Sequence, residues 1–194
     1  MSRAAWPRSL ALGALLITTG CYHPVLYEMP LIQVQRPADV ATRWGSFTLA
    51  KSKDGYTYKD QLVRLVVVPS DGQFLVTLEN ETAFSMQFIW DQAAYVSPAG
   101  TSSPVAAGAT TCILVGQSRP AETIPSHATA VLTIIPSALI ERKGGCHVEP
   151  FIVGNSTALK LDGKDARLVL PLRVQDTVNE YTLVFRVRVT QGSR

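Results

Sequence analysis

The sequence lacks a strong excess of charge of either sign. Its 194 residues include 18 Lys and Arg against 15 Asp and Glu, for a formal net charge of +3. Arg3 and Arg8 lie in an amino-terminal segment that we expect to be removed, which leaves 16 basic against 15 acidic side chains. Nucleic-acid-binding surfaces normally carry a clear basic excess. The composition therefore predicts no nucleic-acid partner.

Residues that commonly carry catalysis are scarce. The chain has three histidines, His23, His127 and His147, and Ser46 lacks the second glycine of a nucleophile elbow. No glycine-rich phosphate loop follows a predicted strand, and no βαβ unit is indicated that could use one. These absences predict a protein that is not an enzyme, with no catalytic residues and no cofactor.

A metal centre is not indicated either. The side chains considered as ligands are those of Cys112, His127, Cys146 and His147. No CxxC or HxxxH pair occurs among them. Neighbouring residues of a strand point to opposite faces, so Cys146 and His147 cannot readily bind the same ion. We therefore expect no metal site.

Cysteine is rare, at three residues. Cys21 has a separate role, described below, which leaves Cys112 and Cys146 as a pair. An even pair in an oxidising compartment predicts a disulfide, and two buried thiols are the alternative. Closing this loop would stabilise the fold by about 3–4 kcal/mol in the chain-entropy account.

The main apolar run, Leu10–Ile17, is too short to span a bilayer. Arg3 and Arg8 precede it, and the small residues Thr18, Thr19 and Gly20 follow it. A positive segment, an apolar segment and a stretch of small residues, in that order, are typical of a secretory signal peptide. We expect residues 1–20 to be cleaved off.

The segment Leu16–Cys21 (LITTGC) resembles the lipobox of bacterial lipoproteins, in which small residues precede an acylated cysteine. The commonest pattern has Leu three residues before the cysteine, whereas this chain has Thr18. The resemblance implies lipidation of Cys21, and more than one acyl chain gives stable membrane anchoring. In enteric-type lipoproteins, Asp after the cysteine favours retention in the inner membrane, so the resemblance with Tyr22 at this position implies sorting to the outer membrane. We expect the domain to face the periplasm.

The rest of the chain predicts one all-β domain. Residues 21–40 contain Pro24, Pro30 and Pro37 and resemble a semi-extended tether, in which Leu31–Gln35 could add a strand at a sheet edge. We expect residues 41–194 to form an antiparallel β-sandwich, immunoglobulin-like or transthyretin-like, with a small β-barrel as the alternative. No stretch has a convincing helical stripe.

Short apolar or alternating runs between Asp-Gly turns predict the individual strands. Leu62–Pro69, Gln73–Glu79 and Phe84–Trp90 are expected to form a meander, because the loops between them are short. The last strand is expected to bury alternate residues from Tyr181 to Val189. The remaining predicted strands are Thr111–Val115, Thr129–Ile135, Ala138–Arg142 and Arg167–Val174.

Two further segments are candidates for contact surfaces. Ser97–Gly108 is poor in apolar residues and is expected to be a loop or a mobile hairpin tip. Arg186 and Arg188 fall on the polar face of the last strand, with Arg173 expected nearby. They could contact anionic lipid, although charges on a wet strand face are the ordinary case.

Tyr56 and Tyr58 follow a turn and lie on one strand face, where they could be exposed and contact a ligand. Aromatic rings of this kind stack on sugars, but tyrosines also pack in sheets. Trp90 is expected in the core, because it continues the apolar face of Phe84–Phe88.

Two functions compete. The first is a non-catalytic envelope lipoprotein that acts as a structural or accessory subunit of a membrane-associated assembly, of secretion, motility or transport type. The second is a lipoprotein module that binds glycan or peptidoglycan. The expected partners are the membrane, through the lipid on Cys21, and a protein of the cell envelope.

Overall fold

The computed structural model describes residues 26–35, 48–53, 55–108, 118–142 and 146–190. Cys21, Cys112 and the predicted strand Thr111–Val115 lie outside these residues. Within the described part of the chain, no helix combines the length and the apolar character needed to cross a membrane.

Strands dominate the described residues. The first eight are β1 (Leu26–Glu28), β2 (Leu31–Gln35), β3 (Thr48–Ser52), β4 (Gly55–Lys59), β5 (Val63–Ser70), β6 (Gln73–Asn80), β7 (Met86–Phe88) and β8 (Ala94–Val96). The others are β9 (Ser102–Ala107), β10 (Glu122–Ile124), β11 (Thr129–Pro136), β12 (Ile140–Glu141), β13 (His147–Val148), β14 (Asp165–Val174), β15 (Thr177–Arg186) and β16 (Arg188–Thr190).

Twelve of these strands form one antiparallel sheet in the order β10-β7-β14-β8-β9-β11-β6-β5-β4-β3, with β15 paired to β14 and β2 paired to β15. The sheet is nearly closed, like a barrel. Two small sheets, β1 with β16 and β12 with β13, complete the described strands. The architecture confirms the predicted all-β class and is compatible with both the sandwich and the small barrel.

The hairpin β5–β6 illustrates why the sequence folds this way. Val63, Leu65 and Val67 alternate with more exposed residues, and their side chains are fully buried. Gly72 takes a φ of +75° in the two-residue connection, a conformation that glycine adopts without the penalty of a Cβ. Each fully buried side chain of this size contributes about 1.5–3 kcal/mol, so the alternating pattern fixes the register.

The nearly closed sheet is held across its interior by Asp60, which is buried. Its carboxylate accepts hydrogen bonds from the hydroxyls of Tyr58, at 2.8 Å, and Tyr181, at 3.0 Å. It also accepts the backbone N–H groups of Leu62 and Val63. Tyr58 belongs to β4 and Tyr181 to β15, so one carboxylate links two strands that are not neighbours in the sheet.

The predicted meander is correct for its first two strands and wrong for the third. β7 does not pair with β6 but with β10 and β14. Asn80 explains the change of direction, because its buried amide nitrogen donates to the carbonyls of Phe84, Ile124 and Pro125. The chain therefore turns away at the end of β6, and Phe84 is half-exposed instead of buried.

The expected loop at Ser97–Gly108 is also wrong in its second half. Residues 102–107 form β9, which pairs with β8 through Ser102–Pro104 and with β11 through Val105–Ala107. Only the connection before Ser102 is a turn, closed by a hydrogen bond from the Ser97 N–H to the Thr101 carbonyl. The composition of this segment did not indicate a strand, because β9 consists mostly of small residues whose burial is modest.

The last predicted strand is correct up to Arg186, and Tyr181, Leu183 and Phe185 are buried as expected. The strand then ends, because the Arg186 N–H donates a hydrogen bond to the Pro30 carbonyl and the Val187 N–H donates one to the Lys164 carbonyl. The chain continues as β16 and pairs with β1.

Two further differences concern the amino-terminal boundary of the folded unit and one short helix. The edge strand expected at Leu31–Gln35 is confirmed as β2. However, β1 and β2 are both paired, so the folded unit includes Leu26–Gln35, which the expected boundary at residue 40 assigned to the tether. One α-helix, α1 (Asn155–Leu161), was not predicted, since seven residues that bury only Ala158 give no stripe.

Candidate binding cavity beside the first strand

A cavity of about 400 Å³ lies where β1 meets the β3–β4 hairpin and the β5–β6 turn. Its volume falls within the range of about 300–1,000 Å³ that is usual for small-molecule sites. The residues that line it come from four separate segments of the sequence. They are Leu26, Tyr27, Glu28, Met29, Lys51, Tyr56, Pro69, Ser70, Asp71 and Phe151.

Tyr27 stands on β1 with its ring half-buried. The backbone N–H groups of Ile152 and Phe151 donate to its hydroxyl oxygen, which ties β1 to the segment after β13. Burial raises the pKa of Tyr27 above its ordinary value, and the nearby Asp71 carboxylate raises it further, against those hydrogen bonds. The hydroxyl therefore stays protonated at neutral pH and can donate a hydrogen bond.

Tyr56 and Lys51 are directly opposite each other on β4 and β3. The Lys51 ammonium lies 5.7 Å from the centre of the Tyr56 ring, a cation–π distance. Lys51 is exposed and Tyr56 is half-buried, so the pair presents one cation and one aromatic face to the cavity.

Phe151 belongs to an aromatic cluster that continues into the core. Its ring centre lies 4.7 Å from that of Phe74 and 5.7 Å from that of Tyr95. Burial strongly raises the pKa of Tyr95, and the neighbouring Tyr27 raises it further. The Tyr95 hydroxyl is buried and has no hydrogen-bond partner among the described residues.

The position of Phe151 depends on Gly72 of the β5–β6 turn. A Cβ at Gly72 would lie only 2.1 Å from the Glu149 carbonyl oxygen and 2.7 Å from a Val148 methyl carbon. The turn can therefore approach β13 this closely only with glycine. This contact sets the segment after β13 against the cavity, two residues before Phe151.

The lining of the cavity carries both negatively and positively charged groups. Glu28 and Asp71 supply carboxylates, Lys51 supplies an ammonium, and Ser70 supplies a hydroxyl. Together with the rings of Tyr27, Tyr56 and Phe151, these groups can stack on a ring and form ion pairs and hydrogen bonds. The arrangement suits a polar ligand with ring faces and both charges more than a purely apolar ligand.

The predicted ligand contacts separate in the structure. Tyr56 lines the cavity, but Tyr58 is fully buried and bonded to Asp60, so the expectation that Tyr58 is exposed is wrong. Tyr56 and Tyr58 are two residues apart and project from the same face of β4, but their surroundings differ. Tyr56, at the start of β4, stays half-buried, whereas Tyr58 lies inside the closed part of the sheet.

Other predicted residues have ordinary surroundings. Trp90 is buried against Phe88, as expected, and the Arg119 guanidinium lies 4.3 Å from the centre of its ring. Arg186 forms a bidentate pair with Asp165 at 2.8 and 3.1 Å, so this cation of the expected stripe is neutralised. Arg173 contacts Gln87.

Sequence reasoning missed most of the cavity. Tyr27 lies in the supposed tether, and Lys51, Asp71 and Phe151 come from separate segments without a shared motif. Two signals were available: Tyr56, which was predicted as a ligand contact, and the Asp71-Gly72 turn, which marked a hairpin but not its contact with β13.

Comparisons of the chain with known protein families, with curated proteins and with solved structures gave no significant match.

Proposed function

We propose that the chain is a non-catalytic, lipid-anchored envelope protein that binds a peptidoglycan-type ligand, a glycan bearing a charged peptide, in the cavity beside β1. The observation that carries this proposal is the cavity lining: three aromatic side chains together with carboxylates and an ammonium. Sugar rings stack on Tyr and Phe faces, and a peptide with both charges would match Lys51 on one side and Asp71 on the other.

The proposed anchor supports this function by its position. Leu26 is the fifth residue after Cys21. A fully extended chain of that length spans at most about 17 Å, so a lipidated Cys21 would hold the cavity close to the membrane surface. The ligand would therefore be captured at the membrane face of the envelope.

Titration of soluble peptidoglycan fragments into the unlipidated mature domain tests the proposal. We expect saturable binding, with a Kd about tenfold higher for Tyr56→Ala. The loss of one stacking contact at about 1.4 kcal/mol corresponds to a tenfold change in Kd. Phe84→Ala is the matched control, since Phe84 is a half-exposed aromatic residue outside the cavity. Equal loss in both variants, or no saturable binding by the parent, would contradict the proposal.

A second candidate function is the accessory subunit of an envelope assembly, which β3 favours. All five residues of β3 are exposed, and among the described strands β3 pairs only with β4. An edge of this kind can accept a partner strand. A photo-crosslinking residue at position 49 should capture a specific envelope protein in cells, whereas one at the exposed Val178 should not. Equal patterns from both positions would argue against this function.

We also propose the disulfide between Cys112 and Cys146, which remains a prediction because Cys112 lies outside the described residues. Its support is the oxidising compartment implied by the signal peptide. Thiol labelling of the oxidised mature protein after denaturation should detect no reactive cysteine in a Cys21→Ser background. Two reactive thiols would refute the pairing.

A further inference from the structure

The ribbon formed by β12 and β13 gathers three ligand-type side chains on one face. Glu141 lies directly opposite His147 in the antiparallel register, and Glu149 follows His147 by two residues. Opposite residues of two strands, and alternate residues of one strand, project from the same face. The Glu149 N–H donates to the Leu139 carbonyl at 2.8 Å, so the ribbon pairing extends to Glu149.

The three side chains converge on one nitrogen atom. His147 Nε2 lies 2.6 Å from Glu149 Oε1 and 3.5 Å from Glu141 Oε2. All three potential ligand atoms lie within 4.8 Å of one another. A ring nitrogen carries at most one hydrogen, so Nε2 cannot donate a good hydrogen bond to both carboxylates. Two carboxylates that face one another also repel, and a cation between them removes that repulsion.

We propose that Glu141, His147 and Glu149 form a binding site for a divalent transition-metal cation, best satisfied by Zn²⁺. Imidazole nitrogen and carboxylate oxygen are both good zinc ligands at about 2.0–2.2 Å, and the present spacing needs only small rotations of the side chains. The nitrogen ligand disfavours Mg²⁺ and Ca²⁺, which prefer oxygen. Three protein ligands leave a fourth position for water or for a group from a partner.

The ribbon is held firmly enough to present such a site. The close approach of Gly72 fixes the Glu149 carbonyl and the Val148 side chain against the β5–β6 turn. Glu149 is the least exposed ligand, at 31% of its side chain, whereas His147 and Glu141 are about half-exposed, so an ion can enter from solvent. This proposal does not depend on the ligand proposed for the cavity.

Calorimetric titration of ZnCl₂ into the chelator-treated mature domain, without an affinity tag, tests the site. We expect one saturable site per chain and a melting temperature raised by about 5 °C or more at a hundredfold excess over Kd. MgCl₂ at the same concentration should give neither effect. His147→Gln and Glu149→Gln should each weaken Zn²⁺ binding at least about tenfold, since each removes one ligand.

The matched controls are His127→Gln and Glu79→Gln, which change an exposed histidine and a surface glutamate on other strands or turns. Both should bind Zn²⁺ like the parent, and all four variants should keep the parental melting temperature without metal. Substitution with Co²⁺ should give a visible absorption band that disappears in His147→Gln. Undiminished stoichiometric binding in His147→Gln, or equal loss in His127→Gln, would overturn the proposal.

Discussion

At the scale of single residues, Asp60 makes the most demanding set of contacts in the described structure. A buried carboxylate is costly unless its oxygens are satisfied, and here two hydroxyls and two backbone N–H groups satisfy them. This role was not predictable from the sequence, because the Tyr58–Asp60 spacing is ordinary and Tyr181 lies 121 residues from Asp60. Long-range partners of this kind cannot be inferred from local pattern.

Replacement of Asp60 by Ala should lower the free energy of unfolding by about 3–5 kcal/mol, because it removes the acceptor that four buried or part-buried donors share. Tyr181→Phe removes one of the four and should cost about 1 kcal/mol. Asp176→Ala, in an exposed turn, is the control and should stay within about 0.5 kcal/mol of the parent. Urea unfolding measures all three, and a loss for Asp60→Ala no larger than for Asp176→Ala would refute the role of this carboxylate.

Gly72 offers a second test at this scale. Gly72→Ala places a Cβ 2.1 Å from the Glu149 carbonyl oxygen and also forces Ala to a φ of +75°. Gly100→Ala meets only the backbone penalty, since Gly100 has a φ of +87° and nothing within 4 Å of its added Cβ. We expect Gly100→Ala to cost about 1 kcal/mol and Gly72→Ala to cost about 1–3 kcal/mol more. Equal losses in thermal unfolding would show that the turn does not press on β13.

At the scale of elements, patterned strands were predictable and unpatterned strands were not. In β5, β6, β11 and β14, buried apolar residues alternate with more exposed residues over much of the strand. Their predicted bounds differ from the observed ones by at most two residues. β9 was not predicted, because its Ser, Pro and Ala residues show no alternation. The pairing of β7 was predicted wrongly, because the contacts of Asn80, and not the loop length, determine which strand it meets. The cavity was missed for the same reason: it forms between elements that share no motif.

Because β9 is paired on both sides, a deletion that includes it should be severe. Removing Thr101–Ala107 takes away the strand that joins β8 to β11, so the deletion should prevent cooperative folding. Inserting two glycines between Ala99 and Gly100, in the exposed turn, should leave the melting temperature nearly unchanged. Circular dichroism melts distinguish the two. A cooperative melt in the deletion variant would show that β9 is dispensable.

The hairpin β14–β15 should respond to pH through Asp165 and Arg186. The hydrogen bond and charge of Arg186 hold the pKa of Asp165 below its usual range. A depressed pKa in the folded state means that the stabilisation is present above the unfolded-state pKa of about 4 and is lost as the pH falls further. The pair is exposed, so the effect is small.

The prediction is therefore a small difference in urea midpoint between the parent and Asp165→Asn at pH 7 that shrinks as the pH falls from about 4 through the folded-state pKa. Asp176→Asn removes a carboxylate outside this ion pair and keeps Asp165 paired with Arg186, so its difference from the parent should show no comparable trend. A difference that grows on acidification would have the wrong sign for this pair.

At the scale of the whole molecule, the proposed lipid determines where the fold works. Metabolic labelling with a fatty acid should mark the wild-type protein, and Cys21→Ala should abolish the label while the variant accumulates as precursor or leaves the membrane. A Cys146→Ser variant should keep the label, which separates lipidation from any disulfide effect. Wild-type protein released unlabelled would refute the anchor, and with it the proposed membrane-proximal position of the cavity.

The pairing of β1 with β16 also has a mechanical consequence. β1 is the first described strand after Cys21, and it is joined to β16 by three residue pairs only. If a bound partner is pulled away from the membrane, the tension along the chain reaches β1 before any strand of the large sheet. β1 also supplies Leu26, Tyr27 and Glu28 to the cavity, so peeling β1 off would dismantle one wall of the site while the twelve-stranded sheet stays intact. The affinity for the ligand would then fall when the chain is under tension.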